Sequence, residues 1–77
     1  MSRTIQDHNF LVWEVYPSGG AHGFPDNPQA IFNCLSRMDV RPRAADIGDN
    51  EADALRLIAE MDDAALLELL EHARPID

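Results

Sequence analysis

The chain predicts an α+β fold: a small antiparallel sheet of two or three strands followed by two C-terminal α-helices. The prediction rests on a change of residue type near position 49. The aromatic residues (Phe10, Trp13, Tyr16, Phe24, Phe32) and the glycines (Gly19, Gly20, Gly23, Gly48) all precede Asp49, and the remainder of the chain is almost wholly alanine, leucine and acid. Aromatic and β-branched side chains suit a pleated sheet, whereas unbranched apolar residues interleaved with acids suit helices.

Taken in order, residues 1 to 9 are polar and are expected to fray. Phe10 to Tyr16 is the clearest strand and the expected centre of the sheet, with Leu11, Trp13 and Val15 on one face and Phe10, Val12, Glu14 and Tyr16 on the other. Both faces are unusually apolar, so a cover other than the two helices is expected over the second. Pro17 to Pro28 is a loop by composition, since its glycines and prolines do not fit regular elements. Its length in so small a domain suggests a functional or mobile segment.

Residues 29 to 38 admit two readings. Ile31 and Phe32 after a turn-rich loop favour a second strand. Asn27 as cap, Pro28 at the first helical position and a stripe of Ile31, Cys34, Leu35 and Met38 would equally suit a helix. Val40 to Ile47 reads as a short strand that Pro42 confines to an edge. Gly48-Asp49-Asn50 is a turn, and either Asp49 or Asn50 can cap the helix that follows and runs to about Met61; with Asn50, Asp53 would make a variant capping box. Asp62 and Asp63 supply a second cap, with His72 and Arg74 at the negative end of the following helix and Pro75 to stop it. These signals favour two helices over one long one.

At 77 residues the chain is a single small domain, with a sheet and loop region over 10–47 and a helical region over 49–74. A chain of this length buries only about 60% of the surface its unfolded form exposes, so self-association would help its core. The lone cysteine, Cys34, permits no internal disulfide. The formal charge of −8, with arginine as the basic residue and no lysine, repels nucleic-acid backbones and anionic membranes. No segment approaches the ~20 apolar residues that span a bilayer, and the first residues do not resemble a signal peptide. A cytoplasmic location is the resulting expectation.

No motif demands a particular chemistry. Ser18 to Gly23 is glycine-rich but lacks the Lys and Ser/Thr of a phosphate loop and the strand-and-helix setting of a dinucleotide loop, so it reads as a turn. His8, His22, His72 and Cys34 match no metal-ligand spacing, and neither a metal nor a cofactor is expected. Cys34 lies among apolar neighbours, where a thiol is inert. Asp62-Asp63 is explained by capping rather than acid–base catalysis. Arg37, Arg41 and Arg43 form the one basic cluster; they could grip a carboxylate or phosphate, but pairing with Glu51, Asp53, Glu60 or Glu68 of their own helices is the simpler expectation. Leu66-Leu67-Glu68-Leu69-Leu70 matches a helical docking pattern, yet a chain this short needs those leucines in its core.

The expected function is therefore non-catalytic: a small interaction or regulatory protein, paired with itself or a protein partner through the sheet face carrying Phe10, Val12 and Tyr16. One alternative is an acidic decoy occupying a basic groove on a nucleic-acid-binding or toxin-like target. Another is a small-ligand or enzymatic module using the Gly19–Gly23 loop with Arg37, Arg41 and Arg43.

Overall fold

In the computed structural model, which describes residues 2–18 and 28–76, β1 (Arg3–Gln6), β2 (Val12–Ser18), β3 (Gln29–Cys34) and β4 (Arg43–Asp46) precede α1 (Glu51–Glu60), α2 (Asp63–His72) and β5 (Arg74–Pro75). The described strands form one antiparallel sheet in the order β1-β2-β3-β4-β5. The α+β class holds, but the sheet has five strands rather than two or three. Both additional strands come from segments whose composition conceals them. β1 lies in the stretch expected to fray, and it is fixed by a single apolar residue, Ile5, buried opposite Trp13. β5 comes directly after the second helix: Arg74 pairs with Ala44 and Pro75 with Arg43.

The pairing decides one open reading and corrects two expectations. Residues 29–34 are strand, because Ala30, Phe32 and Cys34 alternate into the core opposite Pro17, Val15 and Trp13. The strand expected over Phe10 to Tyr16 begins at Val12 instead, leaving Phe10 and Leu11 in a turn, and it is the neighbour of the edge strand β1 rather than the middle of the sheet. Pro42 stands just before β4, which is an interior strand rather than an edge, and its carbonyl accepts from the N–H of Ile76 (2.8 Å).

The two helices cover one face. α1 lies over β2 and β3, and α2 contacts β4 and β1. Between helices and sheet lies a core of Ile5, Trp13, Val15, Phe32, Ile58 and Leu66, each almost fully buried, with Ala30 and Ala54 filling the close approaches. Burying a large side chain of this kind contributes roughly 1.5–3 kcal/mol. Leu66 and Leu70 belong to the core and Leu67 and Leu69 pack at its margin, as expected of a leucine stripe that a short chain needs for itself.

The helix starts obey the sequence closely. Asn50 accepts from the N–H of Asp53 (2.8 Å), and the Asp53 carboxylate reaches back to the N–H of Asp49 (3.1 Å), one residue earlier than in a simple capping box. Gly48 permits this return at φ 71°, where a Cβ would meet Asp53 Oδ2 at 3.0 Å and Ala54 N at 3.1 Å. Asp62 caps α2 through the N–H of Ala65 (2.8 Å). Arg3, at the start of the chain, binds this helix junction: its guanidinium donates to the carbonyls of Ile58 (3.1 Å) and Met61 near the end of α1, and pairs with Asp63 (2.7 Å) at the start of α2. It thus satisfies orphan carbonyls at one helix end while placing a positive charge where the α1 dipole is negative.

Candidate functional site

The β1–β2 turn and the β3–β4 connection lie at the same end of the sheet, tied by Leu35 N–H to Val12 O (2.8 Å) and Val12 N–H to Ser36 Oγ (2.7 Å). The turn is built around Asp7. Its Oδ1 accepts from the N–H groups of Asn9 (2.8 Å) and Leu11 (2.9 Å), its Oδ2 accepts from Trp13 Nε1 (2.9 Å), and its carbonyl accepts from the N–H of Phe10 (3.1 Å). Partial desolvation pushes the Asp7 carboxyl up, but the bonds from Trp13, Leu11 and Asn9, with the nearby His8, together outweigh it and hold the group below its ordinary value. Sequence reasoning missed Asp7. The available signal was an aspartate two residues before Asn9, the pattern of a side chain that bonds its own backbone in a turn.

Phe10 closes this turn at φ 66°, in the left-handed region, with its side chain 78% exposed. For a bulky residue that conformation is an outlier, costing roughly 1–2 kcal/mol. Across the same end stand Leu35, 53% exposed, and Met38, fully exposed. An exposed apolar group therefore crowns this end of the sheet. Beside it, Arg37 and Asp39 make a bidentate pair (3.0 and 2.7 Å), whose hydrogen bonds and charge hold Asp39 below and Arg37 above their ordinary values.

The open face of the sheet is less apolar than the β2 sequence suggests. Tyr16, Ile31 and Ala44 are register partners and make one apolar row. On one side runs the polar row Thr4, Glu14 and Asn33, and on the other Ser18, Gln29 and Asp46. Polar partners supplied by β1, β3 and β4 thus interrupt the aromatic patch expected from Phe10, Val12 and Tyr16. Phe10 departs from it altogether, being in the turn. Val12 and Tyr16 keep the face assigned to them, separated by Glu14.

The arginine cluster does not converge either. Arg37 is engaged with Asp39 and Arg41 is exposed, while Arg43 sits on the helix-covered side, its guanidinium 5.9 Å from the centre of the Trp13 ring. Of the helix acids, Asp53 and Glu60 are paired with Arg56, and Asp63 with Arg3. Between the Asp7 turn, β4 and α2 lies a cleft of about 340 Å³. Trp13 and Arg43 line it together with Leu11, Val40 and Leu67, and Asp7, His8, Asn9 and Glu71 supply its polar groups.

Among the described residues no three His, Cys, Asp or Glu side chains gather as metal ligands. Cys34 is buried opposite Trp13. No helix among them is long and apolar enough to cross a membrane. The Gly19–Gly23 loop and His22 lie outside the described residues. No protein-family model matches the chain, and no significant match to a curated protein or a solved structure was found.

Proposed function

We propose that the protein is a small, non-catalytic interaction protein that pairs with a second copy of itself through the apolar end of its sheet. The observation that carries this reading is Phe10, an exposed aromatic side chain in a backbone conformation that disfavours it, at the same end of the sheet as exposed Leu35 and Met38. Backbone strain of this kind persists where the surrounding structure enforces it and concentrates at functional positions. Apolar clusters of this sort mark association sites on small proteins.

The charge of this end differs from that of the chain as a whole. The chain carries −8 overall, yet residues 35–43 contain Arg37, Arg41 and Arg43 against the single acid Asp39. Pairing through this end buries apolar surface. A twofold contact also enlarges a core that is small for an isolated domain.

Sedimentation equilibrium at micromolar concentration tests the proposal. The wild type is expected to be dimeric, Phe10→Gly monomeric and folded, and Tyr16→Glu still dimeric. A monomeric wild type overturns the reading. Dissociation by Tyr16→Glu but not by Phe10→Gly moves the interface to the open sheet face.

A further inference from the structure

We infer that the cleft beneath the Asp7 turn is a binding site for a small monocarboxylate with an apolar body, anchored by Arg43. The cleft is lined in equal number by apolar and polar residues, Leu11, Val40 and Leu67 among the apolar ones, and about 340 Å³ is the lower end of the range for small-molecule sites. Its cation is half-buried. Arg43 lies over the Trp13 indole, and among the described residues it makes no ion pair with a carboxylate.

Asp7 is the acid bonded to the Trp13 indole, but both its oxygens are engaged by Asn9, Leu11 and the indole N–H. The guanidinium fork therefore has donors to offer a ligand, and a planar carboxylate matches that fork. The guanidinium carbon lies 5.9 Å from the centre of the Trp13 ring, within reach of a cation–π attraction that favours its place at the cleft.

The rim selects among anions. Glu71 on α2 also lines the cleft and disfavours ligands of higher negative charge, which separates a monocarboxylate from a phosphate. The net charge of −8 opposes any anion at a distance, but at physiological ionic strength charges beyond about 8 Å are largely screened. Contact with Arg43 then decides binding.

The cleft adjoins the apolar end proposed for self-association, and a different experiment reads it. Trp13 is the only tryptophan, so its fluorescence reports on the cleft directly. Sodium octanoate and 1-octanol are titrated into wild type, Arg43→Gln and Arg43→Lys at neutral pH, and thermal melts verify that each variant is folded. Octanoate is expected to change the emission saturably and to bind about tenfold or more tighter than octanol; Arg43→Gln should abolish that preference and Arg43→Lys should retain part of it. Equal affinity for octanoate and octanol, or no saturable binding of octanoate to folded wild type, overturns the assignment. Should Arg43→Gln fail to fold, Leu67→Phe, which fills the cleft from α2, takes its place: loss of octanoate binding supports the site and unchanged binding refutes it.

Discussion

The indole N–H of Trp13 donates to Asp7 Oδ2 at 2.9 Å, so the largest aromatic of the core and the acid that shapes the first turn are fixed by one bond. A core residue thereby dictates the conformation of a surface turn, and the turn in turn supplies the acceptor without which a buried N–H would be unsatisfied.

Replacing Asp7 by alanine should destabilise the fold by about 1–3 kcal/mol, because Nε1–H of the buried Trp13 loses its protein partner. Titration of the wild type should show the same bond. The folded carboxyl lies below its unfolded value of about 3.9, so its contribution is fully present above that pH and is lost as the pH falls through the lower folded value. Asp7→Asn should remove that portion of the acid sensitivity. Urea melts of both proteins between pH 2 and 6 test this, and an unchanged difference across the range would contradict it.

Phe10→Gly should stabilise the monomer by about 0.5–1 kcal/mol. At φ 66° glycine escapes roughly 1–2 kcal/mol of steric cost and gives back part of it as unfolded-state freedom. Chemical denaturation at concentrations too low for association measures it. A loss of stability would mean that the Phe10 side chain contributes to the fold by contacts that outweigh its strain.

Arg3→Ala should cost about 1–2 kcal/mol, since it uncovers the carbonyls of Ile58 and Met61 and removes the pair with Asp63. The pair itself is partly exposed and counts for little in that figure. Amide exchange is the sharper test: protection should fall at the junction of α1 and α2 before it falls in β2 and β3.

Leu66→Ala and Leu70→Ala should each cost roughly 2–5 kcal/mol, because both side chains are buried among core residues. Thermal melts decide it, and variants that melt like the wild type would rule out the core assignment.

Much of this architecture is legible in the sequence because it rests on local rules. The caps at Asn50 and Asp62, the turn at Gly48, the burial of Trp13 and Val15 and the leucine core all derive from residue type and spacing. The features that escape a sequence reading depend on partners distant along the chain. Ile5 is one apolar residue in a polar stretch, and only pairing with β2 makes its segment a strand. Arg74 resembles the basic end of a helix until it is placed beside Ala44. The candidate site shows the same division. Arg43 stands out in the sequence with Arg37 and Arg41, but the alternation of β4 sends it to the helix side, to Trp13. Phe10 reads as part of a strand because nothing in its side chain announces a positive φ.

The strands lie side by side in the order in which the chain makes them. β1 through β4 can close by successive neighbouring turns, each with a small loop-entropy cost. The fastening of the helices is of another kind: Arg3 meets Asp63 across 60 residues, and β5 reaches β4 only after both helices have passed. Contacts so remote in sequence carry the larger closure cost. The helices are therefore fastened twice, at opposite edges of the sheet: by Arg3 of β1 beside their junction and by β5 on β4.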